Sequence, residues 1–151
     1  MIEKDIECRI VSAMKQLNLE DTQILNSWND GKSLTNIEDE SSTTIIDIKT
    51  TPRQYDTAQI PTASIGCSIE VSTREEQDPT GETMLEVSEK VMEILQLCQE
   101  RLEFAIQTFE LPTFSVAGFR LDGGSGPYYD KMSGKTSLQL NFTIRGVVQH
   151  F

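Results

Sequence analysis

Over the first turns of the chain, apolar residues recur at three- and four-residue spacing: Ile2, Ile6, Ile10, Ala13, Met14 and Leu17. Glu3, Lys4, Glu7, Arg9 and Lys15 fall mostly between them, which predicts an amphipathic helix of about four turns. From Asn18 to Ser42 the period fades. Asn29, Asp30 and Gly31 give a turn signal, and Glu38 to Ser42 form an acidic polar run. The reading is a long excursion loop over 18–42, with a short strand around residues 34–37. A loop of that length inside a domain is functional or ordered by a partner.

Thr43 to Thr50 is rich in β-branched residues and stops at Thr51 and Pro52, as a strand does. Ile65, Cys67, Ile69 and Val71 then alternate with Ser64, Gly66, Ser68, Glu70 and Ser72, the period of a half-buried strand. From Asp78 to Phe109 the period changes to that of one long helix. Its start signals are Asp78 with Pro79, or Thr83 with Glu86 as a capping box. Met84, Val87, Val91, Ile94, Leu95, Cys98, Leu102, Ala105, Ile106 and Phe109 face the core. Glu82, Glu86, Glu89, Glu93, Glu100 and Glu103 make a carboxylate stripe on the other side. Pro112 ends the helix. Thr113 to Leu121 reads as a strand with Phe114 and Val116 on one face and Ala117, Phe119 and Leu121 on the other. A Gly-rich loop from Asp122 to Gly134 follows, and then an alternating strand runs through Leu138, Leu140, Phe142, Ile144, Gly146 and Val148. The expected fold is α+β: an N-terminal helix, a mostly antiparallel sheet of four to five strands, one long helix packed on it, and a C-terminal β-hairpin.

A length of 151 residues makes a single domain the default, with enough apolar content for one core. The 24 acidic and 13 basic residues give a net charge of −11, which argues against gripping nucleic acid through its phosphates. The charge is divided: residues 1–110 carry 22 acids and 9 bases, whereas residues 111–151 carry 2 acids and 4 bases. Such a division fits faces made for different neighbours, or simply reflects which segments are exposed. With no bilayer-length apolar run and no signal-peptide stretch, the expectation is a soluble, intracellular protein without a membrane partner. Cys8, Cys67 and Cys98 fit neither a disulfide framework nor a metal half-site, and read as buried small hydrophobes.

Candidate chemistry is sparse. Gly134, Lys135 and Thr136 match the end of a P-loop, but Tyr129 stands where its first glycine belongs and a strand follows. Gly31, Lys32 and Ser33 fail likewise at Asn26, and Gly124, Ser125 and Gly126 lack a following helix. His150 is the lone histidine, which leaves no triad and no histidine metal cluster; no cofactor is expected. Asn141, Phe142 and Thr143 match a glycosylation sequon, but on a predicted strand. A small acidic enzyme with a carboxylate-only cleft stays open. The glutamate stripe is a solvated face, or it lines a passage or a subunit contact. Gly123, Gly124, Tyr128, Tyr129 and Lys131 make the Gly-rich loop a candidate partner contact, against an ordinary loop whose tyrosines fold back on the sheet.

Taken together, the opening helix and polar loop, the strands IIDIKTTP and SIGCSIEVST, the helix begun by DPTGETMLEVSEKVMEIL and the closing hairpin with Arg145 and Gly146 resemble the tail terminator proteins of lambda-like long-tailed bacteriophages. The likeness lies in element order and length over about residues 1–148. It implies a non-enzymatic virion protein of the tail or neck, assembled in the host cytoplasm. Its subunits would form a six-membered ring that caps the tail tube, stops its polymerisation and offers the head-docking surface. The implied partners are further copies of the chain, the tail tube protein and a head-completion or connector protein. DNA would pass through the ring without specific binding, which an acidic lumen favours. Another neck or tail component, such as a head-tail joining or tube subunit, remains the nearest alternative.

Overall fold

The structure is a computed structural model that describes residues 1–28, 42–56 and 61–149. Its elements are α1 (Ile2–Lys15), β1 (Thr22–Asn26), β2 (Thr44–Thr50), β3 (Gln54–Tyr55), β4 (Thr62–Arg74), α2 (Glu82–Glu100), α3 (Leu102–Thr108), β5 (Phe114–Asp130) and β6 (Lys135–Val148). The sheet runs β1-β2-β4-β6-β5, with β3 beside the start of β4. The β1–β2 pair is parallel and the other pairs are antiparallel. The class is α+β, as the patterning predicts, but the sheet has six strands. The additional ones are β1 and β3. Five residues, TQILN, are too few to show a period, so β1 is recognisable only by its pairing with β2. The excursion is therefore partly sheet, and the strand expected at residues 34–37 lies outside the described residues.

Cross-strand register gathers the apolar alternation onto one face. Ile46 stands opposite Val71, Ile48 opposite Ile69, and Ile65, Cys67 and Ile69 of β4 stand opposite Ile144, Phe142 and Leu140 of β6. All are buried, and the apolar stripes of α1 and α2 pack on them in one core. A one-residue slip would turn every one of these side chains to the other face, so the pattern excludes odd slips of register.

Three expectations are corrected. First, β5 bulges between Val116 and Gly118. The extra residue, Ala117, shifts the alternation, so Phe119 lies on the same face as Phe114 and Val116 rather than opposite them. There it stacks on Phe142 at 5.0 Å and on Phe109 at 6.1 Å between ring centroids. Second, the long helix is two helices. Arg101 is extended (φ −127°, ψ 100°), and its carbonyl accepts from the N–H groups of Phe104 and Ala105 to start α3. The break buries Ala105 and Phe109 and leaves Leu102 and Ile106 exposed, although one unbroken helix would have turned both inward. No glycine or proline marks it; the demand comes from the Phe119 and Phe142 rings that Phe109 covers. Third, the 122–134 loop is mostly strand. β5 continues to Asp130, bulging again after Leu121 and Ser125, and residues 131–134 alone make the turn.

Asp78 decides where α2 begins. Its carboxylate accepts from the Thr83 and Met84 N–H groups at 3.2 and 3.1 Å and from the Thr73 hydroxyl at 2.8 Å. It thereby satisfies two donors of the first turn and ties the helix to the end of β4. Thr83 forms no capping box, since α2 starts at Glu82 behind Gly81. Gly146 is the other position the fold requires: a Cβ there would lie 2.6 Å from the Phe114 ring.

Candidate functional site

The helices pack on one face of the sheet, which leaves three arrangements of polar side chains to consider: a buried clamp under α1, the outer face of the helix layer, and the far side of the sheet.

The clamp is made by two carboxylates that the helical pattern placed among the solvent-facing positions. Glu7 is fully buried and Glu3 nearly so, which corrects that placement. Glu7 accepts from Ser27 N–H at 2.8 Å, Trp28 Nε1–H at 3.1 Å, Thr50 N–H at 3.2 Å and the Thr50 hydroxyl at 2.6 Å. One turn earlier Glu3 takes a bidentate pair from Arg53, at 3.1 Å from Nε and 2.7 Å from Nη2. Burial pushes the Glu3 pKa up, but the hydrogen bonds and charge of Arg53 outweigh it and hold the carboxyl below its ordinary range. The Arg53 pKa rises in turn, chiefly through the bond to Glu3. With their oxygens taken up by these backbone and side-chain donors, the two carboxylates join α1, the exit of β1 and the end of β2.

On the helix layer Glu82, Glu86, Glu89, Glu93, Glu100 and Glu103 are all exposed. The stripe therefore exists as a surface, divided between α2 and α3 at Arg101. From Glu82 to Thr108 it sets six carboxylates against Lys90 and Arg101. Exposed leucines lie within it, Leu85 at 44% and Leu97 at 38%.

The far side of the sheet carries Ser64, Gly66, Ser68 and Glu70 of β4 beside Arg145, Thr143, Asn141 and Gln139 of β6. Here the second halves of the alternation, Ser and Thr with amides and charges, face away from the core. Arg120 and Arg145 stand over an open hollow of about 540 Å³, walled by Thr51, Pro52, Gln54, Ser64 and Thr143. Arg120 Nε–H donates to Asp122 at 2.7 Å, and Arg145 Nε–H to Asp56 at 2.8 Å. The Thr143 hydroxyl donates to the other oxygen of Asp122. That bond, and then Arg120, keep the Asp122 carboxyl below its usual pKa. Further along, Asp47 of β2 and Glu70 of β4 are direct cross-strand neighbours. Carboxylates so placed repel across a gap of about 5 Å between Cβ atoms. They share an open depression with Asp130 and Lys135, not an enclosed cleft.

The hairpin residues are held more firmly than a flexible tip. Gly123 and Gly124 pair with Asn141 and Leu140, and Tyr128 and Tyr129 with Ser137 and Thr136. The Tyr129 hydroxyl donates to Glu75 at 2.6 Å, which raises its pKa. Lys131 sits in the turn beside Met132, which is 99% exposed. The structure does not bring this turn and the glutamate stripe into one site; they are separate surfaces of the chain. Of the thiols, Cys67 and Cys98 are buried, with burial pushing the Cys98 pKa up to about 11, but Cys8 is exposed and is no core residue.

Among the described residues no cluster of three or more metal-binding side chains forms, and no helix is long and apolar enough to cross a membrane. The sheet-face residues were only half legible: the alternation of β6 places Asn141, Thr143 and Arg145 on one side, whereas nothing in the sequence announces Asp56 as the partner of Arg145. No family model matches this chain, and no curated protein matches it either.

Proposed function

We propose that this chain is the subunit of a closed ring that terminates a tail tube, in the manner of the lambda-like tail terminators that its element order resembles. The observation that supports this best is the presence of two unlike surfaces on one subunit. The outer side of α2 and α3 exposes six carboxylates against Lys90 and Arg101, and the β5–β6 hairpin carries four cations against two carboxylates. Surfaces that differ in this way suit a head-to-tail contact, and head-to-tail contacts close into a ring when the rotation per subunit divides the circle. Charge complementarity then sets register and speeds encounter more than it adds affinity. In this reading the ring caps the tube formed by the tail tube protein, and its other side receives a head-completion or connector protein. DNA slides through the ring, repelled by whatever carboxylates line the lumen. The chain acts through shape and stoichiometry and not through catalysis.

The test is the mass of the purified protein by light scattering across concentration and salt, with negative-stain images of large species. Closed six-membered rings, formed alone or when tail tubes are added, support the assignment. Long open tubes identify a tube subunit instead. A monomer that stays monomeric in the presence of tubes overturns the reading.

A further inference from the structure

We propose that the hollow under Arg120 and Arg145, on the uncovered face of the sheet, receives α2 of a second copy of this chain, with Leu97 inserted and Glu93 and Glu100 against the two guanidinium groups. The contact rests on the ring reading above and names the surfaces through which one subunit holds the next.

The hollow is built by missing side chains. Gly66 lies opposite Thr143, and Gly118 opposite Arg145, so neither neighbouring strand sets a side chain of its own beside β6 at this level. A Cβ at Gly66 would come 2.9 Å from the Thr51 hydroxyl, which occupies the space beside it. Pro52 gives an apolar wall, and the hydroxyls of Thr51, Ser64 and Thr143 line the remainder. The side chains of Arg120 and Arg145 are 73% and 60% exposed, so both are accessible from outside. Each holds its own aspartate through Nε, and Arg120 also reaches Thr143 through Nη2. A guanidinium has five donors in a planar fork, so each can take a second carboxylate without releasing the first.

The complementary surface has the matching layout. Leu97 is an exposed apolar residue with Glu93 four positions before it and Glu100 three after it, all on the outer side of α2. At 1.5 Å per residue the two glutamates are roughly 10 Å apart along the axis. Arg120 stands opposite Thr143, two residues from Arg145 on the neighbouring strand. Strand rise and spacing put their Cα atoms roughly 8 Å apart. A leucine between two carboxylates thus faces a hollow between two cations, and the helix layer of one copy covers the side of the sheet that its own helices leave open. Since the hollow and α2 lie on opposite faces of the sheet, one pair of copies cannot make the contact twice, so it is heterologous and repeats from subunit to subunit.

The experiment uses the full chain at several concentrations, with mass by light scattering and thermal melting by circular dichroism. E93K/E100K changes exposed helix positions, so below the assembly concentration it should melt like the wild type, yet raise the concentration for ring assembly at least about tenfold, as expected for two lost charge-assisted contacts at a packed interface. R120E/R145E also sets glutamates beside Asp122 and Asp56, so it should melt lower, but it should raise the assembly concentration likewise, and the combined four-residue charge swap should restore rings. Assembly should also weaken as salt rises, within a Debye length of about 8 Å at physiological ionic strength. If the wild type forms rings and E93K/E100K forms them at the same concentration, the contact is wrong while the ring reading stands. If E93K/E100K loses assembly and the charge swap does not restore it, the arginine hollow is not the receptor. A wild type that never assembles, with or without tubes, overturns both.

Discussion

Two helices of this protein carry glutamates one helical turn apart and use them in opposite ways. Glu3 and Glu7 of α1 are buried and bonded to Arg53, Ser27, Trp28 and Thr50. Glu82, Glu86, Glu89 and Glu93 of α2 face outward. The local sequence around each is alike, an acidic position between apolar ones. What differs is the surroundings: residues 27–28 and 50–53 return over α1 and supply donors where solvent would otherwise be, whereas no described segment folds over the outside of α2. A buried carboxylate is tolerable only when its acceptor capacity is met, and Glu7 meets it fourfold.

The sharpest way to break this contrast is to truncate one member of each set. Glu7→Ala leaves the Trp28 indole, the Ser27 and Thr50 amides and the Thr50 hydroxyl without their acceptor, and should cost about 3–5 kcal/mol. Glu89→Ala should stay within about 0.5 kcal/mol. Urea unfolding of the two variants measures the gap; equal midpoints would mean that the Glu7 network does not form in solution. Asp78→Ala removes a carboxylate with three donors at the start of α2, and should cost about 1–2 kcal/mol.

Acid separates the two sets without mutation. The Glu3 and Asp78 carboxyls both have lowered pKa values: burial opposes their charge, but Arg53 in one case and the Met84, Thr73 and Thr83 donors in the other outweigh it. A lowered folded-state pKa stabilises above the unfolded value of about 4 and loses that contribution as pH falls through the folded value. Melting temperature should therefore drop steeply below about pH 4, and the drop should be shallower in an Asp78→Asn variant. A smaller effect of opposite sign tests the same logic at a hydroxyl. Thr44 Oγ1 is buried with no hydrogen-bond partner among the described residues, so Thr44→Val should stabilise by about 1 kcal/mol. Last, a thiol reagent should label Cys8 quickly in the native protein, whereas Cys67 and Cys98 should wait for unfolding.

Much of the fold was legible because it depends on period. The alternation of β4 and β6 set the buried face of the central strands, and the stripe Met84, Val87, Val91, Leu95 and Cys98 set the buried side of α2, since a side chain's direction follows from its position along a regular element. The same rule makes the exposure of the glutamate stripe readable. It failed where the element is not regular. The bulge at Ala117 reversed the facing of Phe119, and the extended backbone of Arg101 turned Leu102 and Ile106 outward. Both irregularities serve the Phe109, Phe119 and Phe142 cluster, and such rings are worth about 0.5–1.5 kcal/mol per pair beyond their buried area. The 122–134 segment misled for a related reason: its glycines and proline signal a turn, but they sit on an edge strand, where bulges and proline are tolerated and discourage edge-to-edge pairing.

By itself, then, the sequence determined the class of the fold, the buried face of the central strands, the acidic outer side of α2 and the polar far side of β4 and β6, all of which are consequences of spacing along one element. Tertiary structure alone decided that Glu7 is buried while Glu89 is not, that Asp56 and Asp122 take Arg145 and Arg120, and that a hollow opens between Gly66 and Gly118. These features join residues up to 89 positions apart. Periodicity says which way a side chain points, but what it meets there is set by the segments that the chain brings back to it.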